Sequence, residues 1–162
     1  MKKLFIIRHA KSDQSFFGND FDRPLNERGK SDASLMAKRL MEKKISIDAF
    51  ISSPAKRAKK TAEYFNDAFG KAKDEVVLIS ALYHASAEVF YEVISALPDT
   101  LNSIAIFSHN PGITHFVNRM HTKTQIDNMP TCGVFAVESL IARWSDFDKT
   151  DKTLLFFDFP KK

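Results

Sequence analysis

The sequence predicts a three-layer α/β domain, a mostly parallel sheet with helices on both faces, and three recurring observations carry that expectation. Leu4 to Ile7 is an unbroken apolar run with no alternation, the pattern of a strand buried on both faces. Ala49 to Ile51 and the apolar start of SIAIFSHNPG, Ser103 to Gly112, repeat it. Each of these strands gives way to polar residues and then, directly or after a loop, to helical periodicity.

The elements follow in order. Arg8 and His9 stand at the end of the first strand, where ligands bind in open α/β sheets. Asp13 to Pro24, DQSFFGNDFDRP, is rich in turn formers and carries Phe16, Phe17 and Phe21. These rings are expected to pin a long loop to the core, with a substrate-facing lip as the alternative. From Asn26 to about Lys44, Ala33, Met36, Ala37, Leu40 and Met41 recur at helix spacing and define one buried face. A short strand at Ala49 to Ile51 follows. Ser53 then suits a cap, Pro54 the opening of a helix, and Arg57 its first turn. That helix continues on Ala58, Ala62, Phe65 and Phe69 and stops near Gly70.

VVLIS, Val76 to Ser80, reads as a further buried strand. Val89, Phe90, Val93, Ile94 and Leu97 mark a helix entered at Ser86, with Pro98 just past its end. After the SIAIFS strand, Asn110 suits an N-cap and Pro111 the first helical position, ahead of an apolar stripe at Ile113, Phe116, Val117 and Met120. Gly133 to Leu140 and Lys152 to Phe159 read as two more strands, joined by a turn around Asp146 to Asp151. Their phenylalanines, like Trp144, are expected in the core.

With 162 residues and 44% hydrophobic content, the chain fits one domain spanning 1–162. The opening MKKLFIIRHAKS is too short in its apolar part for a signal core, and no segment approaches a membrane span. The single Cys132 excludes an intramolecular disulfide and fits a reducing compartment, so cytoplasm is expected and the thiol is read as structural. A net charge of +4 raises the question of nucleic acid, but the cations are scattered and no basic stripe interleaved with aromatics is present. The balance could still favour an acidic or phosphorylated partner.

Three strand ends thus deliver His9, His109 and the arginines Arg8 and Arg57 to one rim. Two helix N-termini aimed there would add backbone N–H groups and positive dipole ends. The implied ligand is a phosphoryl group. Ser12 is near enough to offer a hydroxyl to it, Gln14 is a second candidate, and Asn110 lies on the same rim. His115 and His121 have no metal-type partner at the expected spacing, so neither a metal nor another cofactor is expected.

RHAKS, RPLNERG at Arg23 to Gly29, SSPAKRAKKTA and SHNPG together resemble the histidine phosphatase superfamily, and in length and wording its small phosphohistidine phosphatase subgroup. The resemblance covers Leu4 to Gly112. It implies a phosphoglycerate mutase-like αβα sandwich, here without a large helical cap insertion, since Leu82 to Asn102 has room for one helix only. It also implies that His9 is the nucleophile of a metal-independent phosphatase, with Arg8, Arg57 and His109 clamping the phosphoryl oxygens. Phosphoglycerate mutase-like members carry a proton-donating glutamate just before that helix. Here Ser80 to His84 has no carboxylate, Glu88 reads as a solvated helix residue, and His84 is the substitute acid or a structural hydrogen-bonding residue.

The expected substrate is phosphohistidine on a protein, because its phosphoramidate bond needs less help in leaving. A small phosphate ester, such as a sugar phosphate or nucleotide, is the alternative partner. A non-catalytic module that binds a phosphorylated ligand is a third reading. Neither nucleic acid nor membrane is expected as a partner.

Overall fold

A computed structural model describes residues 1–120 and 122–161; His121, read above as an ordinary histidine, lies outside them. The main elements are β1 (Lys2–Arg8), α1 (Glu27–Glu42), β2 (Ala49–Ser52), α2 (Lys56–Ala68), β3 (Val77–Leu78), α3 (Ala87–Ser95), β4 (Ser103–Ser108), α4 (Gly112–Arg119), β5 (Val134–Ser139) and β6 (Thr153–Asp158). They form one six-stranded sheet of order β3-β2-β4-β1-β5-β6. The first four are mutually parallel; on one side β5 pairs antiparallel with β1, and β6 antiparallel with β5. The mixed α/β fold therefore matches the expected class.

Alternation along β1 sorts the core into two layers. Phe5 and Ile7 pack with Ala33, Met36, Ala37 and Leu40 of α1 and with Ala62 and Phe65 of α2. Leu4 and Ile6 face the other way, toward Phe90 and Ile94 of α3 and Ile113, Phe116 and Val117 of α4. Each such large side chain contributes about 1.5–3 kcal/mol through burial. The helix signals hold at α1 and α3, whereas α2 is entered at Ala55 with no side-chain cap rather than at Ser53 and Pro54. Asn26 caps α1 by accepting from the Gly29 amide at 2.8 Å, and Ser86 caps α3 by accepting from Val89 at 3.3 Å.

Four further expectations are corrected. The strand expected at Val76 to Ser80 is reduced to β3, and Val77 and Leu78 are 49% and 43% exposed; it is the edge strand of the sheet, beside β2. Met41 is exposed as well, lying off the stripe that buries Leu40. Pro111 is the cap residue rather than the first helical one, after a cis Asn110–Pro111 peptide, while the Asn110 side chain accepts from the Thr114 amide at 3.2 Å. The rings of the Asp13 to Pro24 loop do not pin it to the core. Phe17 is fully exposed, and Phe21 sets its edge on Tyr83 with ring centroids 5.2 Å apart. The connection between β5 and β6 is a 3-10 turn at Trp144–Lys149 that buries Trp144 and Phe147.

Register positions the site. In the parallel pair β1 and β4, Arg8 stands opposite Ser108, and the His9 amide donates to the Ser108 carbonyl at 3.2 Å. Both strands therefore end at one level. β2 ends beside them, with the Ser53 amide donating to Phe107 at 3.0 Å. Two glycines allow backbone to crowd this rim: a Cβ on Gly29 would lie 2.0 Å from the Lys11 carbonyl oxygen, and one on Gly112 1.9 Å from that of Ala85. Only a residue without a side chain permits those approaches. Among the described residues no helix is long and apolar enough to cross a membrane.

Candidate active site

His9 and His109, delivered by β1 and β4, lie with ring centroids 5.3 Å apart, and both are buried. His9 Nδ1 is 2.7 Å from the Ala10 carbonyl oxygen. A carbonyl can only accept, so Nδ1 carries the proton and Nε2 keeps its lone pair. The Ala10 amide in turn donates to Thr61 Oγ1 at 3.0 Å, and Thr61 Oγ1 donates to the Arg57 carbonyl at 2.8 Å. α2 thus fixes the turn that aims the imidazole. His109 Nε2 pairs with Ser53 Oγ at 2.8 Å, while its Nδ1 is buried without a partner.

The electrostatics of this end of the sheet are those of crowded nitrogen. Burial pushes His9 down to about 3, with Arg57, Arg8 and Arg23 adding to the effect and the Ala10 carbonyl opposing it. His109 is also pushed down to about 3, by burial first and then by His9, Arg57 and His84. Burial and Arg57 lower Arg8. Both imidazoles are therefore neutral near pH 7 without a ligand. Arg8 Nη1 donates to the Met129 carbonyl at 2.8 Å, but the Nε atoms of Arg8 and Arg57 are buried with no partner among the described residues. Unpaired buried donors are costly, and a phosphoryl oxygen is the kind of acceptor that would satisfy them.

Arg8, His9, Arg57 and His109 line one cavity of about 310 Å³, together with Ser12, Gln14 and Asn110. Seven of the eight residues singled out from sequence are thus brought together. Ser12 is buried, and its Oγ accepts from Arg23 Nη1 at 2.9 Å and from Gln14 Nε2 at 3.1 Å. The Asn110 amide donates to the Met129 carbonyl at 3.1 Å. His84 is the exception. It is exposed, in left-handed backbone, tilted against Tyr83 with centroids 3.9 Å apart, and lines an adjoining cleft that shares His109 and Asn110 with the cavity. Glu88 is exposed and ion-paired with Arg119.

Sequence reasoning missed Asp20. Its backbone carbonyl accepts from Arg57 Nη1 at 2.7 Å, and its carboxylate accepts from Arg57 Nη2 at 2.9 Å, Arg23 Nη2 at 2.9 Å and the Tyr83 hydroxyl at 2.7 Å. The Tyr83 hydrogen bond, then Arg57 and Arg23, hold this carboxyl well below the usual range. Arg57 is thereby anchored through both terminal nitrogens by the 3-10 turn at Asp20–Asp22. Arg23, quoted only as part of a motif, also lines the cavity. Arg57 and Tyr83 are 37 and 63 residues from Asp20 in sequence, so its local spacing to Arg23 alone does not place it at the site. Cys132 is buried, its thiol is pushed up by burial, and its amide donates to the Arg8 and His9 carbonyls, consistent with a structural residue. Among the described residues no group of three or more His, Cys, Asp or Glu is placed to hold a metal ion.

Two outcomes follow from this geometry. Asp20→Ala removes the carboxylate part of the anchor of a buried guanidinium, leaving the backbone carbonyl, and should lower stability by about 1 kcal/mol. Inorganic phosphate, taking the released N–H groups, should then raise the melting temperature of the variant more than that of the wild type. Equal shifts in thermal denaturation would contradict the anchoring role. Second, folded His9 and His109 bind fewer protons than their unfolded forms between pH 3 and 6.5. Stability is full above the unfolded value and falls as pH is lowered through that window, by up to about 1.4 kcal/mol per pH unit for each histidine. His109→Gln should flatten the pH dependence of the melting temperature there; an unchanged slope would refute it.

A family model described as the histidine phosphatase superfamily (branch 1) matches residues 4–82, the segment that supplies Arg8, His9, Ser12, Arg23 and Arg57. A candidate phosphoserine phosphatase of Hydrogenobacter thermophilus is 37% identical over 73 residues, which cover 43% of this chain and 35% of the relative. The chain thus spans little more than a third of that relative's length. Among solved structures, a candidate phosphohistidine phosphatase SixA from Agrobacterium tumefaciens superposes with a TM-score of 0.80 at 26% identity, covering 98% of each chain. A protein histidine phosphatase SixA complexed with tungstate gives a TM-score of 0.82 at 22% identity, covering 98% of this chain and 97% of its own, a likeness of fold. Residues 4–82 thus match the histidine phosphatase superfamily, and the chain as a whole shares the architecture of the SixA structures.

Proposed function

We propose that this protein is a phosphatase that works through a covalent phosphohistidine on His9 and removes phosphate from phosphohistidine carried by a protein. One observation carries the reading. The Ala10 carbonyl takes the Nδ1 proton of His9, so Nε2 is the unprotonated atom of a histidine lining a cavity with Arg8, Arg57 and His109.

The chemistry follows from those groups. The Nε2 lone pair attacks phosphorus in line, an Nε2–P bond forms as the bond to the leaving group breaks, and the leaving nitrogen or oxygen takes up a proton. Arg8 and Arg57 spread the developing charge over planar N–H forks. A dianionic ligand would also favour the protonated form of His109, turning it into a donor. Water then attacks phosphorus and releases inorganic phosphate and free His9. The side chains alone supply these steps.

The substrate reading rests on the leaving group. The 3-10 turn Ser80–Leu82 and the two residues after it bring no carboxylate to the rim, and Glu88 is held by Arg119. A phosphoramidate leaves with less assistance than an alkoxide, so the lack of a strong acid matters less for phosphohistidine. The SixA structures, named for that substrate, support the same choice. The Hydrogenobacter relative, named for phosphoserine, favours a second reading in which a small phosphomonoester is cleaved with His84 as donor from the adjoining cleft.

Phosphate release from a phosphohistidine-bearing protein and from a panel of small esters separates them. The phosphoprotein should be preferred, and His9→Ala should abolish its turnover. Preference for an ester, slowed by His84→Ala, would establish the second reading instead.

A further inference from the structure

The phosphate cavity opens sideways. Lys11 and Thr131 line it and also line a second cleft of about 290 Å³, whose other walls include Arg28, Pro130, Phe159 and Lys161. Lys11, Arg28 and Lys161 are exposed, and Pro130, Phe159 and Pro160 are half-buried between them. Asp32 is the one carboxylate in the lining, and Arg28 Nε lies 3.5 Å from it.

This cleft is built into the fold. The Asn26 amide donates to the Lys11 carbonyl at 3.0 Å, seating the start of α1 against the segment after β1. Arg39 of α1 donates to the Phe159 carbonyl at 3.1 Å and meets Asp158 at 3.4 Å, seating the chain after β6 on the same helix. Apolar floor and cationic walls are therefore fixed relative to His9.

We propose that this cleft is a docking groove for an acidic segment of the protein substrate, the stretch of chain beside the residue that carries the phosphoryl group. The proposal rests on the phosphohistidine reading above and adds to it how a protein is chosen over a metabolite. A small phosphate compound fills the phosphate cavity and has nothing to place in the cleft. A phosphorylated protein must continue past the cavity on some side, and charge selects this one. The other cleft adjoining the cavity, with His84, Ser86 and His115, is lined, among the described residues, by no lysine, arginine, aspartate or glutamate. Three cations against one carboxylate, which engages Arg28, leave the cleft net positive and attract an acidic chain, and the attraction weakens as salt screens it.

The test uses three probes: free phosphohistidine, a phosphohistidine peptide flanked by glutamates, and the same peptide flanked by glutamines. At low ionic strength the wild type should prefer the glutamate peptide by about tenfold in kcat/KM, a factor that two or three exposed ion pairs can supply. The preference should shrink as salt is raised. Arg28→Glu combined with Lys161→Glu should abolish the preference and leave turnover of free phosphohistidine within about twofold of wild type. Arg28→Gln with Lys161→Gln should give an intermediate loss and guards against a folding defect in the reversed variant. Equal wild-type rates on the two peptides, or a preference that survives charge reversal, would overturn the groove alone. No phosphate release from any of the three probes would overturn the functional reading, and the groove with it.

Discussion

The site depends on one constraint: nitrogen-rich side chains are crowded where little water reaches them. Arg8, Arg57, His9 and His109 converge because β1 and β4 are parallel neighbours in register and β2 ends beside them. Burial and mutual repulsion then work in the same direction, against positive charge. Both imidazoles are driven neutral, and two guanidinium Nε atoms are left without acceptors. Within the described residues Asp20 is the carboxylate that answers this crowding, from the solvent side, through Arg57, Arg23 and Tyr83. A phosphoryl group is the ligand whose charge and oxygen geometry would answer the rest.

Under the proposed mechanism, the same crowding would divide the labour between the two histidines. His9 has a fixed tautomer, because a backbone carbonyl holds its Nδ1 proton. Its Nε2 is therefore available to attack across the physiological range. His109 meets a hydroxyl, Ser53 Oγ, which can donate or accept, so its proton count can follow the charge of what binds. A nucleophile is served by the first arrangement and an adjustable donor by the second.

The parts of the fold that could be read from the sequence are those where local pattern and burial agree. β1 and β4 are apolar without interruption and buried throughout, and α1 and α3 carry caps at Asn26 and Ser86 that act as their residue types suggest. β3 could not be read, because an apolar run says nothing about whether a helix will cover it. The phenylalanine loop misled for a related reason: Phe17 points to solvent, and what tethers the loop is a carboxylate, Asp20, rather than a ring. Arg8, His9, Arg57 and His109 were legible because each sits directly after a strand or at a helix start, within a motif. Asp20 and Tyr83 were not, since the bonds that join Asp20 to Arg57 and to Tyr83 are set by tertiary distance.

The central claim is that His9 carries the phosphoryl group during turnover. The most direct measurement is to mix the protein with phosphoramidate, quench in alkali within the first turnovers, and map the modification by mass spectrometry. A phosphoryl group on His9, acid-labile and missing from a His9→Ala variant, is the predicted result. Phosphate released with no phosphoryl group on His9, or with one on another residue, would contradict it.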